Sequence, residues 1–295
     1  MKSNVLLLVH VLLLFGCTNM SSIKRQYRDL AYANDTDTQK MDVFIPEGNG
    51  PFPAVILIHG GGFKSGDKKG QYALAKQLVA NEYVAICVNY RLSDEAVFPA
   101  AIHDIKAALR FLRENAKAYA VDPNRIASWG ASAGGNLSAM IGVSSGIGFL
   151  EGSVGGGIDT SSSIQACVVW FPPINFFRMK KDAKQLGFSE KFDVSLESRY
   201  MGVDVSDAKN NSLVQRANPT NYIDVTDPPF YVQVGDRDPL IPYLQGQKFA
   251  DQLLQVLGEN KVAFDLIVGG KHGGSKFSSD ENIAKIIAFL DKHLK

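Results

Sequence analysis

Gly130-Ala131-Ser132-Ala133-Gly134 sets a serine among small residues in the spacing Gly-x-Ser-x-Gly, after a strand-like run (Arg125 to Trp129) and before a helical pattern (Ser132 to Val143). This is the context of a nucleophile elbow, a strand-to-helix turn that exposes the hydroxyl for attack on a carbonyl carbon. So tight a turn strains the serine backbone and brings other chain close, so its neighbours must be small. The helix N-terminus behind it favours developing negative charge. Upstream, His59-Gly60-Gly61-Gly62-Phe63 follows the apolar run Ala54 to Ile58. Three glycines let backbone N–H groups approach a carbonyl oxygen as it becomes tetrahedral, and each such donor lowers the barrier by about 3 kcal/mol. The expected donors are the N–H groups of Gly61 or Gly62 and of Ala133. His59 reads as a loop brace rather than a base.

The order nucleophile, acid, base that accompanies such an elbow makes a downstream histidine the base. Only His272 and His293 follow Ser132. His293 falls in the last turn of a terminal helical pattern, where a solvated or helix-dipole role fits better. His272 lies in Gly269-Gly270-Lys271-His272-Gly273-Gly274, a glycine-rich loop able to reach back over the elbow. For the acid, Asp236-Arg237-Asp238-Pro239 begins the loop after Val232 to Gly235. A carboxylate there can accept from the imidazole N–H and fix its tautomer. Asp238, deeper in the loop and restrained by Pro239, is preferred over Asp236; Asp265, inside a strand pattern, ranks third.

The elements that must position these groups are legible as alternation. Strand patterns near Tyr27 to Ala33 and Met41 to Ile45 precede Ala54 to Ile58, a continuous apolar run suited to a strand covered on both faces. Helical Gln71 to Ala80, strand Val84 to Val88 and helical Pro99 to Ala118 follow, the last with Ile102, Ile105, Ala108, Leu109 and Leu112 on one face. Strand Ile164 to Phe171 comes after a Gly/Ser-rich stretch, Ser144 to Ser163, that reads as a long surface loop. Residues 175–228 lack one clean period and suit a cap or lid inserted between core elements. Strand Pro229 to Val234, helix Tyr243 to Leu257, strand Val262 to Val268 and helix Asn282 to Leu294 close the series. Such alternation predicts an α/β fold with a mostly parallel central sheet of about eight strands and helices on both faces. Trp170, Phe171, Phe176 and Phe177 read either as an aromatic acyl pocket or as core packing.

Charge narrows the partners. With 31 Lys+Arg against 30 Asp+Glu among 295 residues, no basic field attracts nucleic acid. No His or Cys cluster has metal-ligand spacing. Cys87 and Cys167 sit in strand patterns about three spacings apart, roughly 14 Å and too far for a disulfide, so both read as buried free thiols. At the N-terminus, Lys2 precedes the apolar run Val5 to Phe15, an eleven-residue segment rising only about 16 Å as a helix, too short for a bilayer core of about 30 Å. Residues 1–17 therefore read as an export signal, residues 18–26 as a tether and residues 27–295 as one catalytic domain. The end of the run, Leu14-Phe15-Gly16-Cys17, resembles a bacterial lipobox, whose cysteine is lipidated. That predicts a membrane contact through a lipid on Cys17 and a cell-envelope lipoprotein, with plain secretion as the alternative.

His59-Gly60-Gly61-Gly62-Phe63, Asn89-Tyr90-Arg91-Leu92, Gly130-Ala131-Ser132-Ala133-Gly134-Gly135 and Gly235-Asp236-Arg237-Asp238 with His272 together resemble the α/β-hydrolase esterase/lipase family related to hormone-sensitive lipase. The likeness is greatest to its bacterial branch of acetyl xylan and feruloyl esterases, and it runs from about residue 40 to the C-terminus. It implies a cofactor-free carboxylic-ester hydrolase with Ser132, Asp238 and His272 as the triad, acting on a small ester or an acylated carbohydrate. The chain departs from the family where Asn89 stands in place of a frequent Asp, where Val234 stands in place of a frequent His, and in lacking the longer N-terminal cap of the lipase-like members. Two other readings stay open: a secreted serine peptidase or amidase of the same fold, and a surface binding lipoprotein whose serine site is vestigial.

Overall fold

The computed structural model describes residues 23–188 and 192–295. Its frame is one eight-stranded sheet in the order β1-β2-β4-β3-β5-β6-β7-β8. The strands are β1 (Ile23–Ala31), β2 (Lys40–Pro46), β3 (Phe52–Ile58), β4 (Val84–Val88), β5 (Val121–Ala131), β6 (Ala166–Trp170), β7 (Phe230–Gly235) and β8 (Val262–Ile267). β2 runs antiparallel to both β1 and β4, and from β4 to β8 every pairing is parallel. The expected α/β architecture is therefore present. The apolar runs are continuous because β3 and β4 are covered on both faces: Val55, Ile56, Leu57 and Ile58 are all fully buried.

The helices are α1 (Tyr72–Ala80), α2 (Ala100–Glu114), α3 (Ala133–Val143), α4 (Gly148–Glu151), α5 (Met179–Gln185), α6 (Ser195–Met201), α7 (Asn211–Val214), α8 (Leu244–Leu257), α9 (Ser275–Ser278) and α10 (Asp280–Leu294). Two apolar clusters lie on opposite faces of the sheet. One joins Ile56, Ile86 and Val169 to the stripe Ile102, Ile105, Leu109 and Leu112 of α2 and to Leu137 of α3. The other joins Val55, Leu57 and Trp129 to Leu78 of α1 and to Ile286 and Leu290 of α10. Each fully buried Leu or Ile of these layers contributes roughly 1.5–3 kcal/mol. Cys87 on β4 and Cys167 on β6 are three strand spacings apart, buried and unbridged.

Two expectations are corrected. The tether expected at residues 18–26 overlaps the sheet: Ile23 to Gln26 belong to β1, with Ile23, Arg25 and Gln26 opposite Pro46, Ile45 and Phe44 of β2. β1 is an edge strand with most side chains solvated, so its sequence carries a tether's polarity rather than a buried strand's. The loop Ser144 to Ser163 is not simply a surface loop: it contains α4, which buries Leu150 and presents Glu151 to α2. There Lys106, fully buried, donates to Glu151 Oε1 (2.6 Å) and to the Ser144 carbonyl (2.7 Å). A buried ammonium requires such partners, and Gly/Ser composition does not reveal them. The export signal and Cys17 lie outside the described residues.

Candidate active site

β5 ends at Ala131 and α3 begins at Ala133, so Ser132 alone makes the turn, at φ 56° and ψ −124°. Its N–H donates to the Trp170 carbonyl of β6 at 3.0 Å, which ties the strained residue to the sheet. The elbow is as crowded as the motif requires. A Cβ on Gly134 would sit 2.2 Å from the Ile58 carbonyl oxygen, so nothing larger than glycine fits against the end of β3.

His272 reaches the elbow from the loop beyond β8. Its Nε2 lies 2.8 Å from Ser132 Oγ and its Nδ1 lies 2.7 Å from Asp238 Oδ2. Because a carboxylate only accepts, Nδ1 carries the proton that it donates to Asp238, which leaves Nε2 to accept from the serine hydroxyl. Asp238 is 3% exposed, and its second oxygen accepts from the N–H groups of Leu240 (2.8 Å) and Ile241 (2.9 Å). The structure thus brings together the three residues singled out by the sequence. Asp236, the competing acid, instead accepts from the Gly269 N–H at 2.6 Å, while the Arg237 N–H donates to the Gly270 carbonyl at 2.8 Å. These two bonds staple the loop of Asp238 to the loop of His272. A Cβ on Gly235 would sit 2.3 Å from the Gly270 oxygen, so the staple closes only over glycine. Asp265 accepts from Tyr231 and Gln233, and His293 packs on Phe289 at the end of α10, as a structural pair.

Gly61, Gly62 and Ala133 line the same crevice as Ser132 and His272, a space of about 550 Å³. Ala133 opens α3, so its N–H has no acceptor within the helix and is free for a substrate oxygen. His59 is buried beneath the glycine loop, stacked on Tyr90 at 4.4 Å, with Nδ1 2.8 Å from the Gly60 carbonyl. Burial pushes its imidazole below the usual value, against the opposing pull of the Gly60 carbonyl and of Asp67. This is the geometry of a loop brace. Asn89, one of the departures from the family pattern, serves the same segment: its Oδ1 accepts from the Lys68 N–H at 2.6 Å and its Nδ2 donates to Asp67 at 3.1 Å.

Of the four aromatic candidates, only Phe171 lines the crevice, its ring 4.7 Å from that of His272. Trp170 is a core residue whose Nε1 donates to Gln233 at 2.6 Å, and Phe176 packs on Phe63 and Tyr200. Leu240 and Ile241, which complete the wall beside Asp238, escaped the sequence reading, as did Asp193, just before α6, and Leu196 and Glu197 in its first turn. The α6 residues sit in a polar stretch with no period, and only the path of the chain between β6 and β7 carries them to Ser132.

Comparison with known proteins places the chain among α/β-hydrolase esterases. LipM of Mycobacterium tuberculosis, a protein named as a probable carboxylic ester hydrolase, is 27% identical over 92% of this chain and 65% of its own length. The chain spans about half to two thirds of the first curated relatives it matches, at 65%, 45% and 53% of their lengths. Among solved structures, a bifunctional GH43-CE protein of Bacteroides eggerthii superposes with a TM-score of 0.82 at 31% identity, covering 92% of this chain and 35% of that one. A truncated carbohydrate esterase from gut microbiota has the same TM-score at 28% identity, covering 92% of this chain and 97% of that one. The BD-FAE family profile matches residues 41–253, from β2 through the glycine loop, the elbow and Asp238 into α8. Over that span, well beyond half of its length, the chain carries the family's pattern, and it belongs to the BD-FAE family.

Proposed function

We propose that the protein is a serine carboxylesterase that hydrolyses small acyl esters, acetyl or feruloyl-like, carried on carbohydrate. The observation that supports it is the single imidazole hydrogen-bonded to both Ser132 Oγ and Asp238 Oδ2. In this reading His272 takes the proton of Ser132 as the hydroxyl oxygen attacks the ester carbonyl, and Asp238 stabilises the imidazolium formed. Gly61 or Gly62 and Ala133 donate to the oxyanion. As the tetrahedral intermediate collapses, His272 protonates the departing alcohol, and a water activated by the same base then releases the acid from the acyl-serine. The carbohydrate half of the proposal draws on the gut-microbiota esterase among the structural relatives. A crevice of about 550 Å³ with Phe171, Pro173, Leu196, Leu240 and Ile241 along its walls suits a small acyl group better than a long chain.

Turnover of p-nitrophenyl acetate, lost in Ser132→Ala, is the expected result; equal activity in that variant would overturn the proposal. The proposed location is the bacterial envelope, with a lipid on Cys17 as the anchor. Incorporation of a clickable fatty acid that persists in Cys17→Ser would remove the anchor from this reading.

A further inference from the structure

Asp193, just before α6, and Leu196 and Glu197, in its first turn, line the crevice beside Ser132. The helix is pressed onto the glycine loop: a Cβ on Gly62 would meet Leu196 Cδ1 at 2.5 Å. Around them the wall is largely apolar, with Phe63, Phe171, Pro173 and Ile241. Into this setting the chain places Glu197, a residue 5% exposed, with its own backbone N–H as the donor beside its carboxyl. Four buried aspartates are treated differently. Asp42, Asp104, Asp182 and Asp238 each accept from at least two other residues. A carboxyl offers about four acceptor positions, so most of the capacity of Glu197 is unused. Its oxygens are not among the sealed polar atoms without a partner, so the remaining capacity is open to the crevice that Glu197 lines, where water or a ligand can fill it.

We infer that Glu197 is a specificity-determining residue, accepting a hydrogen bond from a substrate hydroxyl held beside Ser132. The inference rests on the esterase reading above and deepens it, because it selects hydroxyl-bearing esters. Burial, with the charge of Asp193 adding to it, raises this carboxyl to about 7. Near neutral pH it is therefore present in both protonation states, and a hydroxyl, which both donates and accepts, can bond either one. An ammonium group would need the full carboxylate. The hydroxyl has two possible sources: the sugar alcohol of an acetylated oligosaccharide or the phenol of an aryl acyl group.

The test compares wild type, Glu197→Gln and Glu197→Leu on acetylated xylobiose, methyl ferulate, p-nitrophenyl acetate and acetylcholine. The expected result is a fall of about tenfold or more in the ratio of kcat/KM for one hydroxylated ester to that for p-nitrophenyl acetate in Glu197→Leu. Most of that fall should be in KM, with a smaller fall in Glu197→Gln, which keeps an acceptor. Whichever ester responds identifies the source of the hydroxyl. Ratios that do not change, or a loss confined to acetylcholine, would overturn the inference. Fluorophosphonate labelling of Ser132 reports on the esterase reading separately. Should wild type hydrolyse none of these esters, calorimetric binding of xylobiose and of ferulate decides the inference, and equal affinities of wild type and Glu197→Leu for both would overturn it.

Discussion

Two buried carboxyls at different places in the molecule have opposite surroundings. Asp42, on β2, accepts from Tyr72, from the Asp29 N–H, from Lys68 and from Arg28, and it is fully buried. Its burial favours the neutral acid, but the bonds from Tyr72, Asp29 and Lys68 and the charge of Lys68 outweigh that and hold it below the usual carboxylate range. Glu197, at the crevice, has no such ring of donors among the described residues, and burial raises it to about 7. The first network is closed within the protein and contributes stability. The second is open toward the space a substrate would occupy. Burial likewise raises Asp227, which accepts from the Asp224 N–H away from the crevice, so what sets Glu197 apart is its place beside Ser132 rather than its few donors.

Substitutions can break this division. The largest effect expected is in the crevice: Asp238→Asn, which keeps the shape but disfavours the required tautomer, should lower kcat by about 10⁴-fold with little change in Tm. Steady-state kinetics and calorimetry on one preparation check both halves. Asp42→Ala should do the reverse. Removing the acceptor leaves Lys68 buried with Asp29 as its remaining ion-pair partner and should cost about 3 kcal/mol in a urea titration, with the activity of the folded fraction retained. Equal activity losses in both variants would dissolve the distinction.

The pH dependence sharpens it. Glu197 binds its proton more tightly folded than unfolded, so native stability falls as pH rises from about 4.5 toward 7 and stays lower above that. Glu197→Gln removes this cost. It should therefore gain on the order of 3 kcal/mol relative to wild type at pH 8 and nothing from this source at pH 4. Asp42 has the opposite sign: its contribution is present above the unfolded carboxylate value and is lost on acidification through its lowered folded value. The smallest effect belongs to the loop staple. Asp236→Ala frees the Gly269 N–H and should cost about 1–2 kcal/mol, with a fall in kcat smaller than that of Asp238→Asn.

Much of the candidate site was legible because its local geometry restricts residue type. An elbow that puts Ser132 at φ 56° and passes within van der Waals contact of β3 accepts only small neighbours, so Gly130 to Gly134 announce it. The central strands announce themselves by continuous apolar runs. Other features left weaker traces. β1 reads as polar because an edge strand buries little, and the partner that Glu151 supplies to Lys106 is hidden in a Gly/Ser stretch.

By itself the sequence singled out Ser132 and His272, the order of the motifs and the alternation of strand and helix, since each follows from dihedral demands, motif order or periodicity within a short segment. The sequence already preferred Asp238 to Asp236; tertiary structure decided what Asp236 does instead, holding the loops together, and that Phe171 and not Trp170 borders the crevice, with Glu197 beside it. The physical reason is range. A turn constrains residues that are neighbours along the chain, whereas the wall of a crevice is assembled from segments up to 200 or so positions apart, such as Gly60 and His272, whose proximity only the packed sheet enforces.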